Sequence, residues 1–187
     1  LLTVLALAVG AGCQSTKGYK RADKTGSSME SLQKNIEATD TAIDSTVVSL
    51  EGLKSGGQPD PRKAHQQFEK NVGSLVKARS AIDKTMASIR STSDGFFSGW
   101  QADIDAMGSE DVKKVAQDRK NKVERELKDV SRNFVLAKDA VDPWIKEVQD
   151  LSSLLNNDLS TDGLGAATGL FDKAIQEVPA VKEALQQ

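Results

Sequence analysis

The sequence predicts an all-α protein, an elongated antiparallel helical bundle with coiled-coil character. Three observations lead to this prediction. Apolar residues recur at spacings of three and four, no segment alternates as a strand would, and Gly, Pro and Asp cluster between the periodic stretches. The chain has 187 residues, 38% hydrophobic and 28% charged, which suits about one ordinary domain. We expect three long helices plus a shorter C-terminal helix.

The N-terminal residues predict an export signal. The first eleven residues (LLTVLALAVGA) are apolar, and the chain turns polar directly after Gly12-Cys13. Twelve helical residues would span roughly 18 Å, less than the roughly 30 Å hydrocarbon core of a bilayer. We therefore expect a truncated signal peptide at 1–12, a polar tether at 13–28 and a helical bundle domain at 29–187.

Cys13 is a candidate for lipidation. Ala11-Gly12-Cys13 resembles the end of a bacterial lipobox, with Gly10 where that pattern usually has Leu. A lone cysteine in an exported protein is explained if a lipid consumes its thiol, and two or more acyl chains would anchor the chain stably. The alternative is ordinary secretory cleavage near Ala11, which would leave a free thiol.

The first helix is predicted to begin by Ser27 at the latest. Ser27 stands three residues before Glu30, as in a capping box. Apolar positions then follow on one helical face: Met29, Leu32, Ile36, Ile43, Val47, Leu50 and Leu53. The segment from Lys54 to Pro61 ends this helix, and Asp60-Pro61 provides a capping side chain and a first-turn proline for the next.

The second helix carries the strongest periodic pattern. Its predicted seam is His65, Phe68, Val72, Leu75, Arg79, Ile82, Met86, Ile89, Ser93, Phe96, Trp100, Ile104 and Met107. Gly108-Ser109 then marks a turn, with Ser109 as the next N-cap. The regular spacing predicts one long, coiled-coil-like helix.

The third and fourth helices complete the predicted bundle. The third has the seam Val112, Ala116, Arg119, Val123, Leu127, Val130, Phe134, Ala137, Val141, Trp144, Val148, Leu151 and Leu155. Its spacing continues past Pro143, which predicts a kink rather than an end. Ser160, Thr161 or Asp162 can cap the fourth helix, whose apolar residues include Leu164, Leu170, Phe171, Ile175, Val178, Val181 and Leu185.

Antiparallel pairing predicts which residues meet. Folding about Gly108-Ser109 places Trp100 opposite the turn that contains Arg119, and folding about Gly57 places Leu50 near His65. The fourth helix would cover only the Phe134–Leu155 part of the third. Residues 94–125 would then be the least covered stretch, at the end of the bundle nearest Cys13.

This stretch contains an aromatic group, Phe96, Phe97 and Trp100, that is a candidate interaction site. Exposed aromatic surface usually has a use, either at a membrane interface or against a partner. Core packing is the competing interpretation, because Phe96 and Trp100 both lie on the seam. Gly95 and Gly99 lie four residues apart, a spacing that can permit close helix approach.

Two charged residues, Arg79 and Arg119, stand at seam positions. A buried charge is costly unless it is paired, so we expect Arg79 to meet Asp40 and Arg119 to lie against Trp100, both as structural groups. His65 lies in the first turn of its helix, where we expect a partly exposed structural histidine.

The composition argues against several classes of function. One histidine and one cysteine provide neither a zinc site nor a Cys-His catalytic pair. The net charge of −2 does not favour nucleic acid as a partner. The acidic residues lack the order of a calcium loop. We therefore expect no enzyme, no metal and no cofactor.

Several short motifs resemble an uncharacterised family of Gram-negative exported lipoproteins, known only as domain of unknown function 2959. These motifs are Cys13-Gln14-Ser15-Thr16, Phe97 with Trp100, and Pro143 followed by Val148-Gln149-Asp150 and Leu154-Leu155-Asn156. The resemblance implies a helical lipoprotein of the cell envelope and assigns no activity. Gln14 after the cysteine resembles outer-membrane sorting in enterobacterial lipoproteins.

The sequence thus predicts a non-enzymatic lipoprotein on the periplasmic face of the outer membrane, a helical scaffold that meets an envelope protein. Its membrane contact would be the lipid at Cys13, and homo-oligomers are left open. The alternative is a periplasmic binding or chaperone-like module that holds apolar ligands between its helices.

Overall fold

The computed structural model describes residues 16–55 and 60–186, with side chains for Asp23 and from residue 26 onward. These residues form four α-helices and no strand: α1 (Thr16–Lys54), α2 (Pro61–Asp105), α3 (Glu110–Asn157) and α4 (Thr161–Gln186). The all-α prediction and the division into three long helices and a shorter one are confirmed.

The helix boundaries follow local capping chemistry. The Asp60 carboxylate accepts a hydrogen bond from the backbone N–H of Arg62 at 3.0 Å, and the Ser160 hydroxyl accepts one from Gly163 at 3.1 Å. These two residues are therefore the N-caps of α2 and α4. The capping box at Ser27 does not form, because α1 begins at Thr16 and Ser27 bonds to the Asp23 carbonyl within the helix.

The expected polar tether is helical from Thr16 onward. Both internal prolines are also accommodated, since α3 runs through Pro143 and α4 through Pro179. For Pro143, this agrees with the apolar spacing that continues on both sides of it. A proline removes one helical hydrogen bond, and in each helix the packed residues on either side outweigh that loss.

The described chain packs as two compact units. Unit 1 comprises residues 34–82 and 135–186, and unit 2 comprises residues 16–33 and 83–134. Helices α1, α2 and α3 each contribute to both units, whereas α4 belongs to unit 1 alone.

Unit 1 is an antiparallel four-helix bundle. Asn71 of α2 donates to the Ser45 carbonyl of α1 at 2.8 Å, and the Trp144 indole of α3 donates to the Ala174 carbonyl of α4 at 2.8 Å. The ammonium of Lys182 on α4 reaches Asp44 on α1 at 2.8 Å, which closes the ring of helices. The predicted pairing of α4 with the second half of α3 is confirmed.

The core of unit 1 is mainly apolar, and among its described residues five polar or charged ones are buried: Thr39, Thr46, His65, Arg79 and Ser152. Its buried residues include the predicted seam positions Ile43, Leu50, Leu53, Phe68, Val72, Leu75, Ile82, Val141, Trp144, Val148, Leu151, Leu155, Phe171, Val181 and Leu185. Ile145, Ala167 and Ala174 are buried as well. Leu170, in contrast, is 45% exposed, so it does not belong to the core.

Unit 2 contains three helices and a much thinner core. Its buried apolar side chains, among those described, are Leu32, Met86, Ile89 and Ile104. In α3, no side chain between Glu110 and Phe134 is buried. The predicted seam of this half of α3 is therefore only partly covered, because no fourth helix among the described residues lies against it in unit 2.

Candidate interaction site

The aromatic cluster, Phe96, Phe97 and Trp100, lies near the end of α2 in unit 2. The Phe96 ring stands 5.2 Å from the Phe97 ring and 5.3 Å from the Trp100 ring, both edge to face at 67°. Such geometry is the preferred one for aromatic pairs. All three rings are half-buried, so the cluster is neither a closed core nor a freely exposed patch.

A chain of charged residues on α3 supports one side of this cluster. The Lys120 ammonium lies 5.9 Å above the Phe97 ring and 3.6 Å from Glu124, and Lys128 reaches the same carboxylate at 3.4 Å. Burial raises the pKa of Glu124, but the hydrogen bonds and charges of Lys128 and Lys120 outweigh this effect and lower the pKa overall. The glutamate thereby holds Lys120 over the ring.

Beside Trp100 lies an open surface hollow of about 480 Å³, here called the tip hollow. Its lining is almost wholly apolar and is formed by Trp100, Asp111, Val112, Val115, Ala116 and Arg119. Val112 is 53% exposed and Val115 is 71% exposed. Large apolar side chains this exposed, facing one hollow, form a surface that water solvates poorly.

The tip hollow confirms one predicted pairing, since Trp100 and Arg119 line it together. It also corrects the expected seam, because Val112 is exposed rather than packed between helices. Gly95 has nothing within 4 Å of the position that a Cβ would take. The spacing of Gly95 and Gly99 left a close helix approach open, and at Gly95 the structure shows none.

The beginning of α1 lies level with the tip hollow. Ser27, Ser28 and Ser31 of α1 line a second hollow together with Lys84, Thr85 and Ser88 of α2, which sets the register of the two helices in unit 2. Thr16 stands twelve residues before Ser28, and Trp100 twelve residues after Ser88. Since both helices rise about 1.5 Å per residue, each position lies about 18 Å from the second hollow, in the same direction.

Cys13, the predicted lipidation site, lies outside the described residues. It precedes Thr16 by three residues, and three residues span about 11 Å when fully extended. Any group attached to its sulfur is therefore tied by a short segment to the end of unit 2 that carries the aromatic cluster.

The two predicted seam arginines have different surroundings. Arg79 is 6% exposed in unit 1, and its guanidinium donates to Asp142 of α3 through Nε at 2.8 Å. Its salt bridge is thus made with Asp142 rather than with the expected Asp40, which meets Lys182 at 3.2 Å. Arg119 is exposed beside Trp100. Arg79 therefore joins α2 to α3, whereas Arg119 remains accessible at the surface.

His65 is buried rather than partly exposed. Only 3% of the residue is accessible, and its Nε2 lies 3.1 Å from the Ser152 carbonyl oxygen. A carbonyl can only accept, so Nε2 carries the proton in this contact. The histidine thus joins α2 to α3 in unit 1, which agrees with a structural role.

Sequence reasoning missed two features of the site. It did not single out Val115, which lies beside the seam position Ala116, nor the contact of Lys120 with Phe97. The signal for Val115 was present, since Val112, Val115, Ala116 and Arg119 share one helical face. The sequence held no signal for the contact of Lys120 with Phe97, because the two residues belong to different helices.

Within the described part of the chain, no group of three or more His, Cys, Asp or Glu side chains is placed to hold a metal ion. Among the helices formed by residues 16–55 and 60–186, none is long and apolar enough to cross a membrane.

Comparison with known protein families covers nearly the whole chain. A family model described as "Protein of unknown function (DUF2959)" matches residues 14–187. No curated protein and no solved structure matches the chain.

Proposed function

Because the chain belongs to this family of proteins of unknown function, we propose a role from its own geometry: a non-enzymatic lipoprotein of the bacterial cell envelope, anchored through Cys13. In this proposal it acts as a helical scaffold on the periplasmic face of the outer membrane. The observation that carries the proposal is the position of the aromatic cluster, level with the start of α1 and thus close to Cys13.

The construction of unit 1 supports a scaffold. Its four helices are joined by polar contacts that cross from helix to helix, such as Arg79 with Asp142 and Lys182 with Asp44. The hydrogen bond of Lys182 with Asp44 raises the pKa of the lysine, burial lowers it, and the contact with Asp40 adds to the rise. Such contacts fix the register of a bundle, which suits a part that must keep its shape.

The surface of unit 2 supports a contact role for the end of this unit that lies level with the start of α1. The aromatic cluster is half-buried, and the tip hollow beside it exposes Val112 and Val115. Partly covered aromatic and arginine side chains are typical of contact surfaces. We assign Phe96, Phe97 and Trp100 to the contact that the scaffold makes with the envelope or with one of its proteins.

The alternative, a periplasmic module that holds apolar ligands between its helices, is less well supported. The seam of unit 1 is filled by fully buried side chains such as Phe68, Leu75 and Phe171. The tip hollow and the serine-lined hollow both lie open at the surface of unit 2. A ligand-holding protein would be expected to enclose most of its ligand's surface.

Metabolic labelling tests the anchor directly. Cells that express the native chain or the Cys13→Ala variant are grown with radiolabelled palmitate, and their outer and inner membranes are separated. We expect label on the native chain in the outer-membrane fraction, and an unlabelled, membrane-free Cys13→Ala variant. An unlabelled native chain would overturn the lipoprotein proposal.

Crosslinking in intact cells tests the scaffold. We expect the native chain to capture a defined envelope component that Trp100→Ala loses, while the helical content of the variant is unchanged. Leu154→Ala is the matched control, because Leu154 is 46% exposed in unit 1. Equal capture by all three chains would remove the aromatic cluster from the proposal.

A further inference from the structure

We propose that the tip hollow is seated in the interfacial layer of a phospholipid bilayer, so that lipid acyl segments cover Val112 and Val115. This inference rests on the proposed anchor at Cys13. It names what the end of unit 2 that carries the aromatic cluster contacts in the envelope. The occupant is lipid rather than a second protein.

The tip hollow lies within reach of a membrane that holds Cys13. The start of α1 is level with Trp100, and Cys13 is separated from it by about 11 Å of chain at most. The headgroup layer on each side of a bilayer is about 5–8 Å deep, since the whole bilayer exceeds its hydrocarbon core by about 10–15 Å over its two sides. A lipid on Cys13 therefore holds the tip hollow within the range of the membrane surface.

The lining of the hollow has the chemistry of an interfacial surface. Valine side chains favour the apolar side of the boundary, and the tryptophan ring is a side chain enriched where bilayer and water meet. The exposed Arg119 can keep its guanidinium in water while its stem lies along apolar surface. The tip hollow thus combines apolar side chains, Val112 and Val115, with the charged Arg119 beside them, as an interfacial position requires.

Charged residues beside the hollow limit how deeply it can enter the bilayer. Glu110 and Asp111 are exposed there, and Lys113 pairs with Glu110 at 3.0 Å. Ionised carboxylates are costly inside hydrocarbon, so these residues restrict the contact to the shallow interfacial layer. Acidic and basic groups lie together here, so the contact should depend little on anionic lipid.

The experiment uses the full chain and makes the anchor chemically. Cys13 is the one cysteine in the sequence, so a maleimide phospholipid couples to its thiol in vesicles of phosphatidylethanolamine and phosphatidylcholine. A second set of vesicles has acyl chains brominated near the headgroup, which quench indole fluorescence on contact. Flotation confirms that the chain is held on the vesicles.

Trp100 is the reporter, and the Trp100→Phe variant measures the constant emission of Trp144, which is 2% exposed within unit 1. We expect the Trp100 emission to move to shorter wavelength and to lose intensity in brominated vesicles. The double variant Val112→Ser, Val115→Ser should lose most of this quenching. Val48→Ser, at a valine that is 68% exposed in α1, should keep it.

If the tip hollow faces water or a second copy of the chain instead of lipid, the quenching of Trp100 emission should differ. Quenching by aqueous acrylamide with none by bromine would place the hollow in water, and protection from both quenchers would indicate a second copy of the chain. Either result overturns the inference while leaving the anchor intact. Conversely, absence of palmitate on the native chain in cells would overturn the anchor, and the chemically coupled chain would still report on the hollow.

Discussion

Units 1 and 2 use the same three helices and reach different degrees of burial. In unit 1, α3 buries Val141, Trp144, Val148 and further seam residues, whereas between Glu110 and Phe134 the same helix buries no side chain. The periodic spacing is similar in both halves. The difference is α4, which belongs to unit 1 alone, so the number of neighbouring helices rather than the pattern decides how far a seam is covered.

The contact of α1 with α2 shows the same contrast. In unit 1 these helices bury Ile43, Leu50 and Phe68, whereas in unit 2 they border a hollow lined by serine, threonine and lysine. The hydroxyls of Ser27 and Ser31 bond to carbonyls of their own helix. Hydroxyls bonded within one helix add little to the contact between helices, so we expect unit 2 to be the less stable of the two.

Truncation of one phenylalanine in each unit should give the largest difference in the free energy of unfolding. Phe171 is fully buried in unit 1 and Phe96 is half-buried in unit 2. We expect Phe171→Ala to lower the free energy of unfolding by about 3–5 kcal/mol and Phe96→Ala by about 1–2 kcal/mol. Urea unfolding followed by circular dichroism measures both. Equal losses would show that the two cores are packed alike.

The next effect concerns charge pairs. Arg79 is buried against Asp142, whereas the pair of Arg132 with Asp129 in unit 2 is exposed on both sides. We expect Asp142→Ala to cost about 1–3 kcal/mol, because a buried guanidinium loses its carboxylate. Asp129→Ala should cost less than about 0.5 kcal/mol. The same unfolding experiment distinguishes them, and a negligible loss for Asp142→Ala would contradict the structural role of Arg79.

Glycine substitutions probe local space in each unit. A Cβ added at Gly95 in unit 2 would meet nothing within 4 Å, whereas at Gly163 in unit 1 a Cβ would lie 2.8 Å from the Asp158 carbonyl oxygen. We expect Gly95→Ala to raise the melting temperature through a gain of about 0.5–1 kcal/mol. Gly163→Ala should lower it. Destabilisation by Gly95→Ala would indicate a close contact in unit 2.

The smallest expected effects are on the pH dependence of stability. One charged residue in unit 1 should lose its contribution at high pH, and one in unit 2 should lose its contribution at low pH. The pKa of Lys182 in unit 1 is raised above its ordinary value of 10.5. Its contribution is therefore complete below about pH 10 and is lost as the pH rises through the folded-state pKa. The pKa of Glu124 in unit 2 is lowered from 4.5, so its contribution is present above that pH and is lost as the pH falls.

Two variants test this assignment. Lys182→Met should flatten the alkaline side of the stability profile, and Glu124→Gln should flatten the acid side, each by about 0.5 kcal/mol. Melting temperatures measured from pH 3 to pH 11 would show both changes. If Lys182→Met altered only the acid side, the assigned sign would be wrong.

The sequence predicted most of unit 1 and less of the candidate site. In unit 1 the α2 seam from Phe68 to Ile82 is buried as predicted, because spacings of three and four place these residues on one helical face. The partner of Arg79 was predicted wrongly as Asp40. Spacing along one helix specifies which face is buried, but the identity of a cross-helix partner depends on which neighbour lies opposite that face.

By itself the sequence determined the four helices, the cap at Asp60 and the antiparallel pairing of Trp100 with Arg119, since these follow from local chemistry and from loop positions. It left Ser160, Thr161 and Asp162 as candidate caps of α4, and the structure assigns this cap to Ser160.

The sequence also predicted that α4 would cover only the second part of α3 and would leave residues 94–125 the least covered. Only the tertiary structure decided that Val112 and Val115 are exposed and line one hollow with Trp100. The physical reason is that burial depends on the number of neighbouring helices: α4 completes the cover of one half of α3, whereas no fourth described helix covers the other half, which stays partly exposed.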